Sequence, residues 1–448
     1  MSDLLRIGSL GVSAYRGALA TIGDNVANAE TEGYSRRDVS LRETAVLGPG
    51  MALYNNITAL GGVQIDAVDR AWDAFRATDA RRAGADSARS SAQTRWLTVT
   101  ETALDTGTAG VGARLTAFYT SADTLAADPN GAAPRRGMLM ALDDVTAAFR
   151  TSAEGLEQAA KGVSAEAGTT TTAINNDLQA LANVNTAIRR VATGTGSRAE
   201  LEDERDRLLD GLNQKMSIDI TLDAKGAASI RANGPGGPVL LEGNVAAIVQ
   251  SRTAADGRIA LSTTFAGETS TLSPAGGSMA GLVSSATAIA DRRIALDSIA
   301  NDFAGQINSW SANGLDKAGN PGQALLTTTG AAAMALNTSD PDMIAAAAPG
   351  GAANGNLLLL QSQRTESGAE ARHAELVTQL AQQLLSNRTQ ESAFKARHEN
   401  SLAARDEIAG IDLDREAAEL LRYQQAYNGS AKVIQIARET MQSILDIF

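Results

Sequence analysis

Residues 24–37 read Asp24-Asn25-Val26-Ala27-Asn28-Ala29-Glu30-Thr31-Glu32-Gly33-Tyr34-Ser35-Arg36-Arg37, and this stretch decides how the chain is organised. Upstream of it, Leu5, Gly8, Val12, Tyr15, Leu19, Ile22 and Val26 recur at alternating spacings of three and four. That spacing winds them onto one narrow helical seam. The polar run of Asn28, Glu30, Thr31, Glu32 and Gly33 stops the helix, because Gly33 can take a positive φ at low cost, and Tyr34 then offers an aromatic anchor.

The opposite end repeats the arrangement. Leu413, Leu420, Tyr427, Ile434, Met441 and Phe448 stand a heptad apart, with Ala417, Ala431 and Leu445 between them. At about 1.5 Å per residue a helix over 413–448 is about 54 Å long and one over 4–28 about 37 Å, so the C-terminal helix overhangs its partner. Burial of both stripes in one globular core is the plain reading. Gln424 and Arg438 interrupt the C-terminal stripe, as polar residues do where register is specified, which suits an assembly interface instead.

Between the ends, 45–67 is rich in turn residues and reads as an irregular link with short extended pieces. Helical text resumes near Asp69 and runs to Leu104, again from Val111 to Ala127, and from Pro134 to about Ala192, with Ser197 placed to cap a further helix. At Met216 the period changes to two, with Ile218, Ile220 and Leu222 alternating, and a small β domain extends to about Leu272. Helix returns from Met279 to Trp310 and dominates from Leu357 onward, with an interruption near Gly410. The expected fold is mainly α with a small inserted β domain, a central antiparallel helical rod, and terminal helices forming a coiled coil. The expected domains are 1–45 and 410–448 (two halves of the terminal domain), 46–215 and 279–409 (the helical middle), and 216–278 (the β domain).

Composition excludes several classes of function. A net charge of −12 in 448 residues lacks the basic surface that phosphate backbones require, which argues against nucleic acid. No apolar run approaches the roughly 18 residues of a membrane span, and the N-terminal text lacks a cleavable signal peptide's pattern. There is no cysteine, hence no disulfide or thiolate chemistry. His398-Glu399 invites a zinc-protease reading, but the position of the second histidine is Leu402. His373, beside Arg372 and near Glu375, reads as a surface residue. Asp412, Asp414 and Glu416 read as helix-capping carboxylates rather than a metal site. Asp316 to Gly322 reads as a turn, since Ala318 stands where a calcium loop needs an oxygen ligand. The glycines at 234, 236 and 237 lack the Gly-Lys-Ser/Thr of a phosphate loop. No catalytic, cofactor or metal residues are assigned.

The run Asn25-Val26-Ala27-Asn28 followed by Thr31, Gly33, Tyr34, Ser35 and Arg36 resembles the N-terminal signature of bacterial flagellar axial proteins, the rod, hook and hook-associated components. Gly410 to Glu416, then Leu420-Leu421-Arg422-Tyr423-Gln424-Gln425-Ala426-Tyr427, is closest to the hook-associated members. Interior stretches agree, at Val68-x-Arg70-x-Trp72-Asp73-x-Phe75 and Leu201-x-Asp203-x-Arg205-Asp206-x-Leu208. The resemblance implies a non-enzymatic structural subunit at the junction of hook and filament. It implies a homo-oligomeric ring contacting hook protein and a second junction protein. It further implies export through the flagellar type III apparatus, helped by a chaperone and without a cleaved signal, to an extracellular location. A hook or rod subunit, or a secreted adhesin or enzyme on an axial-protein frame, are the alternatives.

Overall fold

The computed structural model describes residues 2–31, 33–44, 61–104, 107–362, 364–365 and 367–446. In chain order the elements are α1 (Ser2–Ala27), β1 (Arg37–Glu43), β2 (Val63–Arg70), α2 (Ala74–Leu104), α3 (Val111–Ala127), α4 (Ala132–Ile188) and α5 (Gly196–Lys215). Seven strands follow: β3 (Ile218–Leu222), β4 (Ala228–Ala232), β5 (Val239–Glu242), β6 (Val245–Ala246), β7 (Ile248–Thr253), β8 (Ile259–Phe265) and β9 (Glu268–Leu272). Then come α6 (Gly277–Ala312), β10 (Leu326–Thr327), β11 (Ala335–Leu336), α7 (Gly355–Gln361), α8 (Ala369–Ala409) and α9 (Leu413–Leu445). The protein is mainly α with small antiparallel sheets, as the periodicity leads one to expect.

The chain divides into two compact units. The first takes Met1–Gly84, Asn175–Ile248 and Lys395–Phe448; the second takes Ala85–Ile174 and Val249–Phe394. In the second unit the core is one aromatic and aliphatic cluster. Phe303 meets Phe118 edge-on, with centroids 5.8 Å apart, and stacks on Phe149 at 6.4 Å. Trp310, almost fully buried, donates from Nε1 to the Asn356 carbonyl at 2.7 Å. The Asn356 amide answers by donating to the carbonyls of Trp310 and Ala345, so the polar edge of the ring is satisfied inside the core.

In the first unit β1 and β2 form an antiparallel hairpin, Arg37 opposite Arg70, with a bulge between Ser40 and Leu41. Residues 45–60 of the expected link lie outside the described residues, but 63–70 form a regular strand, and Asp69 belongs to it rather than to a helix. The bulge leaves Asp66 without a paired residue between Ile65 and Ala67, and the alternation of Val63, Ile65 and Ala67 breaks at Val68, so the period-two signal is short. Helix α2 starts only at Ala74, where the Asp73 carboxylate accepts from the Arg76 amide.

Two local expectations change, at the cap of α5 and at His373. Thr195, not Ser197, caps α5, accepting from the Arg198 amide at 3.3 Å. The strands between 218 and 272 build two sheets: β3-β4-β5-β6 belongs to the first unit and β7-β8-β9 to the second, apart from Ile248 at the boundary. His373 is buried rather than exposed, with its ring 3.4 Å from where a side chain on Gly112 would begin. A glycine at the start of α3 makes the space that an imidazole on α8 fills, which the polar neighbours of His373 in sequence do not reveal.

Candidate assembly interface

The two chain ends lie against each other in antiparallel order. Gly8 faces Ile434, Gly11 faces Ser430, the rings of Tyr15 and Tyr423 are 6.2 Å apart, and Asn25 meets Glu416. On α1 the most deeply covered residues are Gly8, Gly11, Ala14, Ala18, Ile22 and Asn25. On α9 they are Glu416 and Ala437, with Tyr423 and Ser430 between them at the same seven-residue interval. Small side chains on α1 let the backbones approach closely. At Gly8 an added Cβ would lie 2.6 Å from Ile434 Cγ1, and at Gly11 2.5 Å from the Ser430 hydroxyl.

The apolar stripes read from the sequence overlap this contact row at Gly8, Ile22 and Ile434 and otherwise flank it. Leu5, Val12, Tyr15 and Leu19 are half-buried, Ile22 is buried and Val26 is exposed. Leu420, Tyr427 and Ile434 are half-buried, whereas Leu413, Met441 and Leu445 are exposed; Phe448 lies outside the described residues. Leu4, Leu421, Ile436 and Ile444 are also exposed, at 46%, 59%, 51% and 44%. With Gly8 opposite Ile434, the first turn of α1 faces the region of Glu439, so Met441, Ile444 and Leu445 lie on an overhang beyond it. The paired ends thus retain apolar side chains that no described residue covers.

At the root of the pair the signature residues form one hydrogen-bonded knot. The Asn28 side chain donates to the Asp24 carbonyl at 2.9 Å and accepts from the Thr31 hydroxyl at 3.2 Å, closing α1. Gly33 has φ +81° and turns the chain back. Tyr34 then donates from its hydroxyl to Asn25 Oδ1 at 3.0 Å, and the Arg37 guanidinium lies over its ring at 4.6 Å. Burial pushes the Tyr34 phenol up to about 12, partly offset by Arg37. The Arg36 amide donates to the Ala409 carbonyl at the end of α8, and its side chain pairs with Asp38. Asp412 caps α9, accepting from the amides of Asp414 and Arg415.

Sequence reasoning left unassigned the charged cluster behind this knot. Arg37 pairs with Asp203 at 3.1 Å, and Arg70 pairs with Asp203 and Asp206 at 2.8 Å each. Asp206 also takes Arg205 and Arg81, while Asp210 takes Arg81 and Arg405. Burial works against ionisation of Asp206, but Arg205, Arg81 and Arg70 together hold its carboxyl below the usual range. Burial dominates at Asp203 and raises it, with Arg70 and Arg37 opposing. A cleft of about 660 Å³ opens beside the cluster, walled by Tyr34, Arg70, Trp72, Asp206, Arg405 and Asp412. Its arginines at 70, 81 and 405 are paired with carboxylates of the same wall, which makes the group a brace rather than a reactive site. Among the described residues no cluster of three or more metal-ligating side chains occurs, and no helix is long and apolar enough to cross a membrane.

Fold and site together define a class: a mainly helical protein whose two ends pair through a small-residue row and leave apolar side chains exposed. Residues 97–326, just over half of the chain, match the family model for the flagellar hook-associated protein FlgK helical domain, and residues 403–447 match that for the flagellar basal body rod FlgEFG protein C-terminal region. The chain belongs to the flagellar hook-associated protein FlgK family. It is similar to flagellar hook-associated protein 1 of Escherichia coli (strain K12), with 28% identity over 239 residues, 52% of this chain and 42% of the relative. The namesake of Bacillus subtilis (strain 168) is 24% identical over 490 aligned positions, covering 97% of this chain and 96% of the relative. The match thus spans less than half the length of the Escherichia coli relative. A solved structure of the flagellar hook junction protein FlgK from Burkholderia pseudomallei aligns with 55% of this chain and 46% of its own, at 22% identity and a TM-score of 0.49.

Proposed function

We propose that this chain is a non-catalytic structural subunit of the bacterial flagellum, placed between hook and filament. Copies of it close into a ring through the outer face of the α1/α9 pair. The observation that carries the reading is the apolar residue left over after α1 and α9 have paired: Leu4, Val26, Leu413, Leu421, Ile436, Met441, Ile444 and Leu445 are all exposed. An apolar set of this size along one helix pair is characteristic of an association surface. Covering a leucine or isoleucine fully is worth about 1.5–3 kcal/mol, so a few such side chains per contact give a ring a substantial driving force. A ring needs the same two unlike faces on each subunit, meeting head to tail through a rotation that closes.

The names of the relatives support the junction position. Hook protein on one side and a second junction protein on the other are the neighbours that this position requires. An extracellular location is reached in this reading by export through the flagellar type III apparatus without a cleaved signal, with a chaperone covering the apolar α9 beforehand. Labelling the protein on intact flagella tests the assignment. A single band where hook meets filament is expected; label spread along the hook or confined to the rod would transfer the chain to those structures and overturn the reading.

A further inference from the structure

The geometry points to Asn25 as a latch residue that couples docking of the C-terminal helix α9 to closure of the turn at 33–37. Asn25 is 1% exposed, and its amide makes every hydrogen bond that an amide can make. Nδ2 donates to the Arg37 carbonyl at 2.9 Å and to Glu416 Oε2 at 3.0 Å. Oδ1 accepts from the Tyr34 hydroxyl and from the Arg37 amide, both at 3.0 Å. Two of the four bonds address both backbone groups of Arg37, the first residue of β1, so the side chain of Asn25 acts there as a strand-like partner. A third holds the ring of the turn. The fourth reaches α9.

Glu416 is 3% exposed and lies in the first turn of α9, where the helix N-terminus favours its charge. It can occupy this place only while α9 lies against α1. When α9 leaves, water reaches Asn25 Nδ2 in place of Glu416 Oε2, and the amide that fixes Arg37 and Tyr34 is no longer held on that side. Water then competes for the remaining bonds of the same amide, which lose the support of the fourth. The effect is local to the turn: the Arg37 guanidinium stays tied to Asp203 on α5, whichever way the latch stands. The coupling is reciprocal by thermodynamic necessity: a loosened turn must loosen α9 by the same factor.

The Arg37 amide reports the latch directly, since it donates to Asn25 Oδ1. Amide hydrogen exchange on the full chain, read at Arg37, across Tyr423 to Ala437, and in α5 as a reference, makes the test. Ile434→Asp opens α9 far from the turn, and Glu416→Ala removes the acceptor alone; each should speed exchange at Arg37 by about ten-fold or more while α5 stays protected. Glu416→Gln keeps an acceptor oxygen and should retain most of the protection. Asn25→Ala should speed exchange along α9. If Ile434→Asp frees α9 while Arg37 exchanges as in the parent, or if α5 accelerates by the same factor as Arg37, the latch is refuted. Should Asn25→Ala fail to fold, the Glu416 and Ile434 variants decide the question alone, since neither touches the turn.

Discussion

Replacing Gly8 by alanine sets two effects of known size against each other in one helix. Glycine inside a helix costs about 1 kcal/mol relative to alanine, so the substitution alone favours α1. At Gly8 the new Cβ would lie 2.6 Å from Ile434 Cγ1 and 3.2 Å from the Ser430 carbonyl, and Cγ1 is anchored mid-side-chain rather than at a free end. Overpacking of this kind costs about 1–3 kcal/mol, which cancels or exceeds the propensity gain. Gly23 supplies the control, because an added Cβ there meets nothing within 4 Å. Gly23→Ala should therefore stabilise the pair by up to about 1 kcal/mol, and Gly8→Ala should fall about 1–3 kcal/mol below it. Hydrogen exchange of the α9 amides around Ile434 reads the difference, at roughly ten-fold per 1.4 kcal/mol. Equal protection of α9 in the two variants would show that the helices do not pair through the Gly8 row.

Three other outcomes follow from named residues. Asp206→Asn leaves Arg70, Arg81 and Arg205 without a shared buried partner and should destabilise the first unit by about 3–5 kcal/mol in denaturant unfolding. Burial lowers the pKa of His373, so the unfolded chain takes a proton that the folded chain refuses. Stability of the second unit should fall as the pH drops below about 6.5, and His373→Gln should flatten that slope between pH 7.5 and 5. Arg37→Lys cannot reproduce a planar guanidinium over the Tyr34 ring together with the bond to Asp203, and should lower the melting temperature of the first unit despite conserving charge.

Much of this architecture is legible in the sequence because it rests on period. The 3.6-residue repeats locate α1 and α9, Gly33 marks a turn with positive φ, and Asp412 announces the start of α9. The contact row is only partly legible in this way. Hydrophobic spacing reaches Gly8 and Ile22, which belong to the row, and Leu5, Val12 and Leu19, which flank it, while Gly11, Ala14 and Ala18 carry little hydrophobic signal. The spacing of those small residues was the available clue. The partners of Arg37 and Arg70 lie more than a hundred residues away on α5, and only the fold brings Asp203 and Asp206 to them. The same limit hides His373, whose burial depends on a glycine at the start of another helix.

If the helix pair closes on itself and associates through what remains exposed, its exposed face can be spoiled without opening the pair. A double substitution on the outer face, Leu421→Asp with Ile436→Asp, tests it most directly, since both side chains are more than half exposed and lie off the contact row. Incorporation of the secreted variant into flagella is the measurement, with α9 hydrogen exchange in the free protein confirming that the pair is intact. Protected α9 amides together with loss of incorporation are expected; normal incorporation with an intact pair would rule out association through Leu421 and Ile436.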